Sequence, residues 1–323
     1  MKKYIFILIV TLLIISCNSK IKDSESKIKI EKGTEIIEKK TIIEEMTPND
    51  IAEKKVKTNS NNSEEILGSW IGYFKEDTKE SYTEKGIYVD EGFYWNRENK
   101  INLSIDKITD SLVVGHSVVA GNNRPFKGKL MNGMFHVKEP GDDKYDGEFK
   151  FTIAENKLTG KWAAYKNIDI KNRKYELTKK VFAYNPDIML EQVKEYVDWN
   201  TFTEEKTLEE YDEGEFEEWI TKEFASATKL IYTINASNTL LKKNDVENLK
   251  KGDLTIIRNT IYARHGYSFK NRPLRVFFDA QSWYIPVHTD IKSEFTEIEK
   301  ENIKLLLRYE KNAIEYYDYF GRG

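Results

Sequence analysis

Of the 323 residues only one, Cys17, is a cysteine, so the chain can form no intramolecular disulfide and no cysteine zinc cluster. Whatever folds beyond it must rest on a buried core, and the chain is long enough for two ordinary domains. Cys17 also closes a leader. Lys2 and Lys3 form a short positive segment, residues 5–15 are an almost unbroken apolar run, and the small residue Ser16 follows. That is the layout of a secretory signal. The run is too short for a spanning helix, which needs about 20 residues to cross roughly 30 Å of hydrocarbon.

Ile14-Ile15-Ser16-Cys17 resembles the bacterial lipobox, in which a peptidase cuts before a diacylglycerol-modified cysteine. The resemblance implies a signal peptide over residues 1–16 and lipid, palmitate-type acyl chains, on Cys17. The expected location is the bacterial cell envelope, lipid-anchored and either facing the periplasm or exposed at the surface. Each buried methylene contributes about 0.8 kcal/mol, so more than one acyl chain makes attachment durable. Residues 17–64, rich in Lys, Glu, Ser and Asn, read as a solvated tether. Between Ile36 and Met46 the acids Glu38, Glu44 and Glu45 outnumber Lys39 and Lys40, so anionic lipid would not select this stretch as a surface helix.

Charged residues make up 33% of the chain, but 51 Lys+Arg against 54 Asp+Glu leave a net charge of −3. A nucleic-acid partner is not expected, because phosphate binding requires a clear basic excess on one surface. Over residues 65–185, glycines punctuate runs of alternating apolar and polar residues: Trp70-Ile71-Gly72-Tyr73-Phe74, then 101–108, 112–119, 134–137, 149–153 and 158–165. Thr109-Asp110, Gly121-Asn122-Asn123, Asn132-Gly133, Pro140-Gly141 and Glu155-Asn156 supply turns between them. The spacing predicts an antiparallel β-meander, either a barrel or a sandwich, and sequential hairpins favour the barrel. Gly68-Ser69-Trp70 looks like the glycine-x-tryptophan entry of lipocalin-like barrels, where the Trp plugs one end. His116, His136, Glu139, Asp142 and Asp143 lie in or beside these strands without metal-ligand spacing and read as turn-capping residues.

An acidic connecting region, 186–238, is expected next. Met189, Leu190, Val193 and Val197 give residues 187–199 a helical rhythm, and residues 204–218 read as solvated acidic surface that lacks the loop pattern of a calcium site. From residue 239 to 323 the signals are helical. Asp253 is placed to cap a helix over 254–265 that Gly266 ends in the αL conformation, with Ile257 and Ile261 on the buried stripe and Arg258, Tyr262 and His265 sharing a neighbouring face. An aromatic block of Phe277, Phe278, Trp283 and Tyr284 follows. Thr296 and Glu299 form a capping box for a last helix whose apolar positions include Ile298, Leu305, Leu306, Tyr309, Tyr316, Tyr317 and Phe320.

This arrangement resembles the YARHG domain family of exported bacterial proteins through Tyr262-Ala263-Arg264-His265-Gly266. Asp253-Leu254, Arg258-Asn259, Tyr267, Phe269, Trp283-Tyr284, Pro286, Glu299 and Asn302 also fall where the family pattern places them. The resemblance implies an extracytoplasmic setting and a small α-rich module, and specifies no reaction and no cofactor.

Physically, the pentapeptide reads first as a helix terminus: Arg264 and His265 meet the negative end of the macrodipole, Gly266 supplies φ > 0 and Tyr267 folds back as the apolar contact. A second reading makes Arg258, Tyr262, Arg264, His265, Trp283 and Tyr284 the lining of a groove for an envelope glycan or a protein partner. Binding without catalysis is the function expected, with the membrane as partner through the lipid. The alternatives are a hydrolase built from His265, Tyr262 and Asp279, and a lipocalin-like carrier of a small ligand. No serine elbow, paired zinc histidines or phosphate loop is present, and four histidines offer few general bases.

Overall fold

The computed structural model describes residues 65–78, 87–89, 93–95, 97–212 and 214–313. The leader, Cys17 and the tether lie outside them, as do Tyr316, Tyr317 and Phe320 of the expected last helix. Among the described residues no helix is long and apolar enough to cross a membrane.

The β region is a closed antiparallel barrel, not a sandwich. Its strands are β1 (Gly68–Glu76), β4 (Asn99–Thr109), β5 (Leu112–Val119), β6 (Asn122–Met131), β7 (Met134–Lys138), β8 (Gly147–Ala154), β9 (Lys157–Ala164) and β10 (Asn172–Lys180). Each pairs with its sequence neighbour, and β1 closes the ring between β10 and β4. A two-stranded ribbon of β2 (Ile87–Val89) and β3 (Phe93–Trp95) stands between β1 and β4. The apolar alternation makes the barrel: Ile101, Leu103 and Ile105 from one strand, Phe149 and Phe151 from another, and Trp162, Tyr175 and Leu177 all point into one core. Closure leaves none of the eight with an unpaired edge.

Three hairpins turn through two residues that both have positive φ, at Ala120-Gly121, Asn132-Gly133 and Glu155-Asn156. This is the twist that matches right-handed strands. The expected turn at Gly121-Asn122-Asn123 therefore sits one residue early, and Asn122 and Asn123 open β6. Trp70 is buried beside Ile66, Ile153 and Glu155, and its indole N–H donates to Ile66 O at 3.0 Å. It plugs one end of the barrel, as the glycine-x-tryptophan resemblance implied.

The helical rhythm expected over 187–199 does not become a helix. The segment is irregular, and β11 (Val197–Asp212) starts before its end. Its backbone polar groups find partners outside the segment: Ile188 O accepts from Arg264, and Glu191 N donates to Gln281 Oε1 at 2.7 Å. With those bonds made, an i to i−4 ladder has nothing to offer. The acidic stretch pairs as a hairpin of β11 with β12 (Glu215–Ser226), carrying cross-strand ion pairs Lys206–Glu218 and Lys222–Glu204. Leu208, Phe216, Trp219 and Ile220 are exposed on it.

After a 3₁₀ turn at Lys229–Tyr232 come four helices, α1 (Lys243–Val246), α2 (Lys251–Arg264), α3 (Arg272–Asp279) and α4 (Glu297–Asn312). They enclose a second core of Leu254, Ile257, Ile261, Phe277, Phe278 and Leu306, to which Leu190, Tyr196 and Ile231 also belong. The helix expected to start after Asp253 starts earlier, which places Asp253 at the third helical position. Its carboxylate accepts from Lys250 N at 3.2 Å and Thr228 N at 2.6 Å, so it caps from inside the first turn. Thr296 and Glu299 form the capping box as expected: Thr296 Oγ1 accepts from Glu299 N, and Thr296 N donates to the Glu299 carboxylate.

Candidate functional site at the barrel mouth

The pentapeptide is the knot that ties the helical module together. The N–H of Gly266, φ +70°, donates to Ala263 O at 2.9 Å, and the N–H of Tyr267 donates to Tyr262 O at 3.1 Å. This pair of bonds is a Schellman motif, and the Tyr262 and Tyr267 rings meet edge to face at 5.9 Å as its apolar contact. Arg264 donates to Ile188 O at 2.6 and 2.9 Å and to Ser237 Oγ at 3.0 Å. Burial pushes its guanidinium down to about 10, against the pull of Glu299. His265 Nε2 donates to Glu299 Oε2 at 2.8 Å while its ring stacks on Tyr184 at 4.2 Å.

These contacts bear on the expected groove. Arg264, His265 and Tyr284 are buried, and the Tyr284 hydroxyl donates to Tyr267 O at 2.7 Å. Arg258 forms a bidentate pair with Glu310, at 2.7 and 2.9 Å. Only Tyr262 and Trp283 remain partly exposed aromatics, and the buried Trp283 indole nitrogen has no hydrogen-bond partner. The six residues therefore do not line one open surface, because at least three of them point into the core. Nor do His265, Tyr262 and Asp279 assemble as a catalytic cluster: Asp279 is bonded to the barrel and His265 to Glu299. His116 and His136 pair with Asp106 and Glu148, and among the described residues no group of three His, Cys, Asp or Glu could hold a metal ion.

The open site lies elsewhere, where the module meets the barrel. Asp279, at the end of α3, accepts from Lys100 N through its carboxylate at 2.8 Å and from the Tyr73 hydroxyl through its carbonyl at 2.7 Å. Lys100 Nζ donates to Gln281 O and Tyr284 O, and Gly121 N donates to Ser268 Oγ at 2.9 Å. Burial raises the Asp279 carboxyl to about 7 and lowers the Lys100 ammonium to about 8. A side chain on Gly121 would strike Lys270 at 2.2 Å, so the β5–β6 turn and the module touch without room between them.

Docked in this way, α3 forms part of the rim of a cavity of about 340 Å³ at the barrel end opposite Trp70. Phe74, Phe149 and Trp162 give it an aromatic wall, with Phe74 and Trp162 edge to face at 5.5 Å. Glu139 lies buried at its side, accepting from Ser117 Oγ at 3.1 Å, Gly147 N at 2.8 Å and Trp162 Nε1 at 3.2 Å. Burial nevertheless raises its carboxyl to about 7. Five arginines line the cavity: Arg97, Arg124 and Arg173 from the barrel, Arg272 and Arg275 from α3.

Fold and site together define a closed eight-stranded barrel whose mouth carries a docked helical module. Residues 228–311 match the YARHG domain, and that module is therefore a YARHG domain. The match opens at Thr228, whose N–H bonds Asp253, some residues before the start expected from the sequence. No curated protein and no solved structure matches the chain.

Proposed function

We propose that the protein is an extracytoplasmic lipoprotein, anchored by lipid on Cys17, that binds a small ligand in the barrel mouth and performs no chemistry on it. The observation that carries this reading is the composite cavity, whose wall is supplied jointly by the barrel and by α3 of the YARHG domain. Its volume falls within the range of small-molecule sites, and it combines apolar walls with a few placed polar groups. A hydrolase is less well supported, since its candidate base His265 is buried against Glu299. An envelope glycan or protein partner remains a second reading, favoured by the partly exposed Trp283 with its unpartnered indole nitrogen.

Anchoring is tested by metabolic labelling with a fatty acid. Wild type should take up label and Cys17→Ala should not; equal label in both would reject the anchor. Ligand binding is tested by passing envelope extract over the immobilised chain and identifying the small molecules it retains by mass spectrometry. Ile168, partly buried in a loop at the mouth, lines the cavity, so Ile168→Trp should fill it without touching a strand. A ligand held by wild type and lost from a folded Ile168→Trp variant is the expected result. Retention of the same molecules by both, or of none by either, would overturn the reading.

A further inference from the structure

The arginines at the mouth are not equally satisfied. Arg97 pairs with Asp169, and Arg124 pairs with Asp146 at 3.1 Å and Asp143 at 3.4 Å, so carboxylates already answer these two charges. Arg173 differs. Its Nη1 donates to Phe74 O at 2.8 Å and Arg97 O at 3.2 Å, and its guanidinium lies over the Phe74 ring at 5.0 Å. Among the described residues no carboxylate lies within ion-pair distance of it. Two carbonyls and a ring face fix the fork in place without a direct ion pair, so its positive charge beside the cavity is offset only through space, by Glu76 and Asp169.

Arg275 stands on the other side, with the Asp279 carboxylate of the same helix acting on its charge. It is buried, and its Nη1 donates to the Lys270 and Phe269 carbonyls, at 3.0 and 3.4 Å. Arg272 joins it on the rim from the same helix. Burial, first of all, and then the neighbouring Arg97 and Arg275 push the Arg173 guanidinium down to about 10, while Glu76 and Asp169 oppose the shift. The amide of Asn99 makes a further demand: the residue is 6% exposed and lines the cavity, yet its Oδ1 has no hydrogen-bond partner. A buried acceptor left so is costly unless a donor reaches it, and an oxyanion head has none to give, so this atom calls for an N–H or O–H on the body of the ligand and says nothing of its charge.

From this juxtaposition we infer that the cavity takes a small organic anion. Its oxyanion head lies between Arg173 of the barrel and Arg272 and Arg275 of the YARHG domain, and its apolar body lies against Phe149 and Trp162. A guanidinium fork is matched to the oxygens of a carboxylate, sulfonate or phosphate, and a fixed fork loses little freedom on binding one. Flat aromatic side chains favour a flat or hydrocarbon body over a bare inorganic ion. The YARHG domain then does more than brace the barrel: it supplies two of the three charges that select the ligand. This inference rests on the cavity being the binding site.

The probes are 8-anilinonaphthalene-1-sulfonate and N-phenyl-1-naphthylamine, which share an aromatic body and differ in the anionic head. Each is titrated by fluorescence into the chain lacking only residues 1–17. Wild type should bind the sulfonate about ten-fold or more tightly than the uncharged amine, the difference expected of one well-made charged contact. Arg173→Gln and Arg272→Gln should each weaken the sulfonate by about ten-fold and leave the amine within about two-fold. Arg272 is exposed, so its variant remains informative if Arg173→Gln fails to fold. Ile168→Trp should remove both probes, which separates the cavity from the exposed apolar residues of the β11–β12 hairpin. Equal affinity for the two probes, or sulfonate binding unchanged in both folded variants, would overturn the anion inference and leave the cavity reading standing. Binding of neither probe would sink both, and binding of both by Ile168→Trp would place them outside the cavity and likewise sink both.

Discussion

Replacing Gly266 by Val should destabilise the protein by about 3 kcal/mol or more, one of the largest losses a single substitution outside the barrel can produce. Two costs combine. The residue has φ +70°, where a β-branched side chain is strained by about 1–2 kcal/mol. In addition, its Cβ would sit 2.5 Å from Val287 Cγ2, 2.9 Å from Phe182 Cε2 and 3.1 Å from Ile285 O. Overpacking of that kind typically costs about 1–3 kcal/mol more. The carbonyl of Gly266 also accepts from both Val287 N and His288 N at 2.9 Å, so the backbone cannot swing away without breaking the bridge that positions the aromatic block. Gly266→Ala, which meets the Val287 methyl and the Phe182 ring with one carbon instead of three, should lose about half as much. Denaturant unfolding of all three proteins measures this. A Val variant within about 0.5 kcal/mol of wild type would mean that the Schellman turn does not hold the module together.

How far the sequence discloses this molecule depends on whether burial is one-sided. Strands β5 and β8 show a period of two because one face meets the core, whereas β4 keeps the apolar–polar alternation in its residues although both of its faces are buried over Asn99–Ile105; the turns are set by residues that tolerate positive φ. Strand β6 buries only Phe126 along its length, so its alternation is too weak to read. The β11–β12 hairpin buries little and carries acids on both faces, which makes it look like unstructured surface until the two strands are paired. The capping box and the αL glycine were legible because each is a local device with its own residue signature. The roles of Arg264 and His265 were not: their partners Ile188, Ser237 and Glu299 come from three distant segments, and only folding shows that both side chains turn inward.

The cavity was illegible for the same reason. Arg97, Arg173 and Arg272 share no motif, and barrel closure plus docking of α3 brings them to one rim. Asp279, singled out in the sequence as a candidate acid for hydrolysis, holds the barrel and the module in that register through the Lys100 N–H. A buried polar residue of this kind attracts a catalytic reading from the sequence, because burial and partner are invisible there.

Glu299→Ala should cost about 3–5 kcal/mol, because it leaves three donors without their acceptor and each buried donor so orphaned costs about 1–3 kcal/mol. The residue is 0% exposed and serves three elements together. Its Oε2 accepts from His265 Nε2 at 2.8 Å and from Thr296 N at 3.0 Å, and its Oε1 accepts from the Tyr184 hydroxyl at 3.0 Å. Truncation would orphan the histidine at the end of α2, open the capping box of α4 and release the segment that leads out of the barrel. Burial alone would raise this carboxyl, but the bonds from His265, the Thr296 N–H and Ser237 outweigh it and hold it below its ordinary value. A depressed carboxyl stabilises the fold above its unfolded value of about 4.5, and that contribution is lost as pH falls through the lower folded value. Glu299→Gln keeps an acceptor for Thr296 N and should lose less than the Ala variant at neutral pH. It should also lack this residue's share of the acid-side decline. Unfolding free energies from pH 3 to 7 would test both statements. An Ala variant within about 1 kcal/mol of wild type, or a Gln variant with the full wild-type slope, would show that the junction of α2, α4 and the barrel exit is held by packing and not by this carboxylate.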